Sequence, residues 1–311
     1  MTGRPKVCFV LVNLNQEALT RACVQSLQAL RYPNVEIILV DNCSTDGSGT
    51  RLAADFPAIS FIPSNVNRGF AEGNNLGIRR ALEREADYVV LLNNDTVVDP
   101  GMVEPLVDAA RGDDSIGVQS CKIYFAEERD RIWYAGGRLR VYRAAGSHPG
   151  MHDRDRGQYD SFGDTGFATG CMMFLSRRAL EHVGLLDGRY FIYLEDADWC
   201  VRAREAGFRV VYNPGAHLWH SVSVTTRIDS TFYLYFTCRN KLLFVRKHCP
   251  AYLLPAAVVS MVYFYVRHFI RLLLKWRSPR RAQAVWWGII DGWTGRTGEF
   301  GEGRLTSLAR T

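Results

Sequence analysis

Four short, predominantly apolar runs mark the first third of the chain, at 7–12, 35–40, 59–62 and 88–92, broken only by Glu36 and Ser60. A strand solvated on one face alternates apolar and polar residues, so a run with no polar interruption predicts burial on both faces. After the first run, Leu19, Cys23, Leu27 and Leu30 recur at spacings of four and three, an amphipathic helix that Tyr32 and Pro33 end. A second helical stretch covers 52–56, and a Gly- and Asn-rich loop over 67–77 is expected to run into a helix at 78–84. Strand and helix thus alternate from residue 7 to 92, which predicts an α/β fold with a doubly wound, mostly parallel sheet.

Ligands of such sheets bind beyond the carboxyl ends of the strands. Three of the runs end in polar residues there: Asn13 and Asn15 after the first, Asp41 and Asn42 after the second, and Asn93, Asn94 and Asp95 after the fourth. Turn formation alone accounts for one Asn or Asp at a strand end. The repetition at three ends places Asp95 where a ligand would lie. Asp41, with Asp46 close behind it, could accept hydrogen bonds from a base or ribose. No phosphate-loop motif and no dinucleotide-binding glycine motif is present, which disfavours an NTPase and a dinucleotide oxidoreductase.

Composition narrows the class further. In 311 residues, 47% hydrophobic and 23% charged, there is material for one large domain, or one domain with an appendage. The net charge of +6 shows no basic stripe, so no nucleic-acid partner is expected. The eight cysteines form no Cys-x-x-Cys pair, which fits a reducing compartment rather than a zinc or disulfide framework. The first apolar run is too short for a signal peptide, so it reads as a strand of a cytoplasmic protein.

Farther on, 144–166 is polar and Gly-rich and reads as a mobile loop. Tyr190, Phe191 and Tyr193 then lead into Glu195, Asp196 and Asp198, with Trp199, Cys200, Ala203 and Ala206 forming a helical face. The acids fall in a first helical turn, where capping and dipole complementation suffice for Asp198. Capping does not account for the aromatic residues beside Glu195 and Asp196.

The chain resembles glycosyltransferase family 2, the inverting transferases of the GT-A (nucleotide-diphospho-sugar transferase) fold. The resemblance rests on the order and spacing of VNLN at 12–15, VDNCSTDGS at 40–48, NRGFAEGNNLG at 67–77, LLNNDTVV at 91–98, YLEDADWC at 193–200, LWHSVS at 218–223 and YFTCRNKLLFVRKH at 235–248. The nearest flavour is the bacterial rhamnosyltransferase-like subgroup that builds cell-surface polysaccharides. The resemblance implies that Asp41 binds the nucleotide, with Asp46 supporting its loop and Asn13 and Asn15 nearby. Asn67, Arg68, Gly69 and Asn75 would line the donor site. Asp95 would hold a divalent metal, magnesium or manganese, beside Asn93 and Asn94; Asn93 stands where the fuller motif carries an acid. Asp196 would be the catalytic base, with Glu195 beside it. His220 would be a metal or diphosphate ligand, and Arg239 and Lys241 would meet the diphosphate or an acceptor phosphate.

The chemistry is consistent with those residue types. A nucleoside diphosphate leaves only if its charge is offset, which a hard cation on oxygen ligands does. One general base suffices to deprotonate an acceptor hydroxyl, and a single displacement inverts the anomeric centre. His217 and His220 lie three apart, and the resemblance implies His220, which precedes Ser221, Val222 and Ser223 as the family's histidine precedes its own such stretch.

From Tyr252 to Trp276 an apolar stretch carries Arg267, Arg271 and Lys275 at every fourth position. That pattern predicts a helix lying in a membrane interface, with a packed helix and a tilted span as the alternatives. Trp286, Trp287 and Trp293 suit an interface too. The expected organisation is a catalytic domain over 1–245 and a helical, membrane-interfacial region over 246–311. The expected activity is metal-dependent, inverting transfer of a sugar, rhamnose from dTDP-rhamnose ahead of UDP- or GDP-hexoses, to a lipid-linked glycan acceptor. The expected place is the inner face of a bacterial plasma membrane. The rivals are an inactive scaffold in polysaccharide assembly and a sugar nucleotidyltransferase.

Overall fold

The computed structural model describes residues 3–222, 230–271 and 278–297. Ser223 of the 218–223 motif, and Leu272–Leu274 and Lys275 of the basic apolar stretch, lie outside the described residues. The first half runs β1 (Val7–Asn13), α1 (Glu17–Gln28), β2 (Val35–Asp41), α2 (Ser48–Asp55), β3 (Ser60–Pro63), α3 (Gly69–Glu83), β4 (Tyr88–Leu92), β5 (Thr96–Val98) and α4 (Val103–Gly112). Then come β6 (Ile116–Phe125), β7 (Ile132–Tyr134), β8 (Arg138–Arg140), β9 (Ala145–Ser147), β10 (Gly163–Asp164), β11 (Met172–Ser176), α5 (Arg177–Val183), α6 (Glu195–Glu205) and β12 (Arg209–His220). Three helices follow: α7 (Thr231–His248), α8 (Leu254–Arg271) and α9 (Pro279–Thr294).

The main sheet has the order β10-β12-β6-β11-β4-β1-β2-β3. Its β4-β1-β2-β3 half is parallel, as the apolar runs predict. β11 enters antiparallel to both β4 and β6, so the sheet as a whole is mixed. Successive residues of β1 serve opposite faces. Val7, Phe9 and Leu11 join Cys23, Val24 and Leu27 of α1 and Leu106 of α4 in one core. Cys8 and Val10 join Ile78 and Ala81 of α3, Leu180 of α5 and Trp199 of α6 in the other. Two-sided burial is why Val7–Val12 of β1 and Tyr88–Leu92 of β4 carry no polar interruption, whereas β2 admits Glu36 at its part-buried start and the part-buried edge strand β3 admits Ser60.

Two expectations need correction. The stretch expected as a loop over 67–77 is helical from Gly69 onward. Glycine and asparagine are poor helix formers, but here packing decides. Gly73 and Gly77 face Val12 and Val10 of β1, and a Cβ at Gly77 would overlap the Val10 side chain. The small residues let α3 approach the sheet closely. The segment expected to be mobile over 144–166 is tied down. Lys122, buried on β6, donates to Asp155 at 2.7 Å and also to Asp160, and the Tyr124 hydroxyl donates to Asp155 at 2.5 Å. Burial pushes the Asp155 carboxyl up, but the Lys122 and Tyr124 bonds outweigh it and hold it at about 2.

The expected domain boundary at 245/246 falls inside α7. α9 packs back on α7, with Gly288 against the Tyr235 carbonyl and the Tyr235 hydroxyl donating to Asp291 at 2.9 Å. Among the described residues, Ala251–Arg271 is long and apolar enough to cross a membrane. Only Ala257 of α8 is buried; Val258, Val259, Val262, Tyr263, Phe269 and Ile270 are exposed.

Gly77→Val should lower stability by about 1–3 kcal/mol through overpacking against Val10. Thermal melting checks this, and an unchanged midpoint would refute the close-approach account of α3.

Candidate active site

The parallel strands end together. Asn13 and Asp41 are register partners at the ends of β1 and β2, and a buried polar chain runs inward from them. The Asn13 amide donates to Asp41 (2.9 Å), Ser44 (3.0 Å) and Ser48 (3.0 Å). The Thr20 hydroxyl donates to Asn13 at 2.9 Å, and the Asn94 amide donates to Thr20 at 2.7 Å. Asn13 and Asn94 therefore lock the strand ends together. Asn15, at φ 55°, accepts from the Thr45 N–H at 2.8 Å, which joins the loops after β1 and β2. Asp46 accepts from the Ser48 N–H at 2.9 Å and fixes the turn into α2.

Asn93 donates its N–H to the Cys171 carbonyl at 2.9 Å, and Asp95 lies beyond the end of β4. β12 returns alongside: His220 pairs with Thr96, and its Nε2 lies 3.1 Å from Asp95 Oδ1. Both side chains are largely buried, and the Trp133 ring meets the His220 ring edge-on at 4.7 Å. His217, an odd number of positions away on the same strand, lies instead 3.5 Å from Asp99. Strand alternation sends the two histidines to different carboxylates.

Asp196 lies across the start of β11. It accepts from the Gly170 N–H at 2.8 Å and the Ala197 N–H at 2.7 Å. Burial raises its pKa above the usual carboxylate range, against the pull of those N–H groups. Glu195 is raised further, by burial and by the neighbouring Asp196 charge, and its Oε2 is buried without a hydrogen-bond partner among the described residues. Gly170 bonds Asp196 and Cys171 bonds Asn93, so two adjacent residues connect the carboxylates at 95 and 196.

A sequence model described as Glycosyl transferase family 2 matches residues 8–184, more than half of the chain. The chain belongs to this family. The N-acetylglucosaminyl-diphospho-decaprenol L-rhamnosyltransferase of Mycobacterium tuberculosis is 27% identical over 64% of this chain and 71% of its own. The dTDP-rhamnosyl transferase RfbF of Shigella flexneri is 25% identical over 74% of this chain and 77% of its own. Among solved structures, the mannosyltransferase PcManGT of Pyrobaculum calidifontis, in complex with GDP-Man and Mn2+, superposes with TM-score 0.55 at 17% identity, covering 99% of this chain and 80% of its own. The fold is GT-A, and the protein is a glycosyltransferase.

In this transferase several predicted residues serve the scaffold. Asn67 accepts from the Gly69 N–H at 2.9 Å and from the Asn42 amide at 3.0 Å, and Arg68 donates its N–H to Asn42 at 2.9 Å. Gly69, at φ 67°, is needed because a Cβ would strike the Phe191 ring and carbonyl. Asn75 does not face a ligand: buried in α3, it exchanges two hydrogen bonds with the Leu186 backbone, at 2.9 and 3.0 Å. Arg239 donates to the carbonyls of Arg189 (3.0 Å) and Tyr190 (2.7 Å), and is not aimed at a diphosphate. Lys241 donates to the carbonyls of Arg143 (3.1 Å) and Ala144 (2.6 Å), and burial lowers its pKa to about 8. Backbone carbonyls thus hold both cations in place.

Asn240, between them, escaped the sequence reading. Its amide donates to the carbonyls of Tyr190 (3.0 Å), Ile192 (2.7 Å) and Tyr193 (2.8 Å). That loop has Phe191, Tyr193 and Leu194 at φ 65°, 71° and 73°, a strained path into Asp196. Asp198 is the second fastening. Fully buried, it meets Lys247 at 2.6 Å, His248 at 2.7 Å and Arg202 at 2.8 Å. Burial alone would raise its pKa, but His248 and Lys247 more than reverse this. Capping was too weak a reading of Asp198. The 235–248 motif held the signal for Asn240, and the strand-end position that for Asn42; Gly170 had none.

Asn240→Ala should cost about 1–3 kcal/mol by leaving buried carbonyls unpaired. Hydrogen exchange should quicken over residues 189–194, and protection equal to the parent would disprove the clamp. Asp198→Asn should cost about 3–5 kcal/mol by stripping a buried ion cluster of its anion. Because the folded pKa is depressed, this stabilisation is full above the unfolded carboxyl value of 3.8 and is lost as pH falls below it. Acid denaturation of the variant should therefore be shallower than that of the parent.

Proposed function

We propose that this glycosyltransferase moves a sugar, L-rhamnose from dTDP-rhamnose, onto a lipid-linked glycan with inversion at the anomeric carbon. The observation that carries the reading is the placement of Asp95 with His220 on one side of Gly170–Cys171 and Asp196 on the other. The rhamnosyl donor and lipid-linked acceptor follow the names of two relatives. A UDP- or GDP-hexose is the next choice of donor.

Asp196 is the base. Its half-buried carboxylate is oriented by two backbone N–H groups, and its raised pKa brings it nearer the working pH. Asp41, held by Asn13 and Ser44, faces the nucleotide. One hard carboxylate and one imidazole 3.1 Å apart suit a divalent cation whose other ligands are diphosphate and water oxygens. Among the described residues no group of three His, Cys, Asp or Glu is gathered, in keeping with a site the donor completes. Asp95 and His220 would hold the ion, which offsets charge on the departing diphosphate.

The enzyme works on the inner face of a membrane. One side of α8 is fixed to the catalytic unit: Arg143 donates to Ser260 at 3.2 Å, the Tyr265 hydroxyl donates to the Cys238 carbonyl at 3.0 Å, and Lys241 sits 4.8 Å from the Phe264 ring centre. The other side is apolar and exposed. A helix held along its length to the domain and bare on its far side suits an interface better than a crossing.

The test is a thermal-shift panel of UDP, dTDP and GDP with and without manganese, followed by transfer assays. A dTDP shift that needs manganese and disappears in Asp95→Ala is expected; a shift with UDP or GDP alone reassigns the donor. Asp196→Asn should cut transfer by about 10²–10⁴ with the melting point retained. Near-normal transfer by that variant would remove Asp196 as base. Since the base acts ionised and its pKa is raised, the acid limb of kcat/KM should lie above about pH 4, the ordinary carboxylate value.

A further inference from the structure

Away from the strand ends, the C-terminal parts of α7 and α9 enclose a cavity of about 340 Å³. Five cationic side chains line it, Arg189, Arg239, Arg246, Lys247 and Arg296, against one carboxylate, Asp291. Two further carboxylates take up part of this charge: Asp187 pairs with Arg189 and Lys247, and Asp198 with Lys247. The cations still outnumber these acids. Arg239 forms a buried floor, while Arg189, Arg246 and Arg296 stand exposed around the opening. Gly295, at φ 77°, turns the chain at the end of α9 and brings Arg296 and Thr297 to the wall.

We propose that this cavity binds a phosphate group, supplied at the membrane by the headgroup of an anionic lipid. Guanidinium groups around a small opening match phosphate oxygens. The source follows from the rim. Arg246 donates to the Trp293 carbonyl at 2.9 Å, so the basic opening adjoins an indole that is 73% exposed. Trp286, seven residues earlier and on the same side of α9, is 54% exposed. Exposed tryptophans beside arginines are what a protein presents at headgroup depth. The bare face of α8 enters the apolar layer from the neighbouring helix. The same cavity backs onto the active-site loop, because Arg239 and Lys247 hold residues 187–190.

The source of the phosphate rests on the membrane reading above; phosphate recognition itself does not. The full chain is sedimented with vesicles of phosphatidylcholine alone or mixed with phosphatidylglycerol, and compared with Arg246→Gln/Arg296→Gln. The double variant should bind the anionic vesicles on the order of tenfold more weakly and the neutral ones equally. Arg296→Gln alone, an exposed substitution, should show part of the loss and guards against misfolding. In parallel, inorganic phosphate at constant ionic strength should raise the melting temperature of the parent and not of the double variant. If that shift is lost but vesicle binding is unchanged, the site takes free phosphate and the lipid source is wrong. If neither differs between parent and variants, the site does not exist.

Discussion

The carbonyls of residues 189–193 are drawn onto α7 by two adjacent side chains, Arg239 and Asn240, and the catalytic side of the molecule depends on that grip. The loop holds three non-glycine residues in left-handed backbone. Such residues cost on the order of 1–3 kcal/mol each and persist only where their surroundings determine them. Here the surroundings are five hydrogen bonds from α7 and the ion cluster on Asp198 one turn later. The strained path starts α6 at Glu195, so Asp196 can meet the Gly170 N–H.

On the opposite side the constraint is polar and uncharged. The chain from Asn94 through Thr20 to Asn13 is buried, and its amides and hydroxyls can donate and accept together. Carboxylates in those places would pay desolvation without a counter-charge. Charge is kept for the two rims of the chain, Asp41 and Asp95, where solvent or ligand can reach it. This explains why the end of β4 holds two amides and a single acid.

Much of this was legible in the residues. The strands β1 and β4 could be read because two-sided burial leaves an unbroken apolar run, and β2 because Glu36 alone interrupts its run. Asp95 and Asp196 stood out because acids beside such runs are costly unless used. α3 was misread because its glycines and asparagines are poor helix formers by themselves, and their fitness appears only against Val10 and Val12. The 144–166 segment read as mobile because its anchor, Lys122, is far from it in sequence and looks like any strand lysine. The carbonyl partners of Arg239 and Lys241 went unread because a cation in a motif carries no record of which carbonyls will surround it.

The sequence by itself determined the α/β alternation, the family, and the positions that carry acids at strand ends, because burial periodicity and residue chemistry are local properties. The tertiary structure decided which of those polar residues face the site and which hold the frame. It brought His220 of β12 to Asp95, sent His217 to Asp99 by strand alternation, and turned Asn75, Arg239 and Lys241 inward. A side chain takes the partner that leaves the fewest buried polar groups unpaired, and that partner is set by segments up to a hundred and more residues away in the chain.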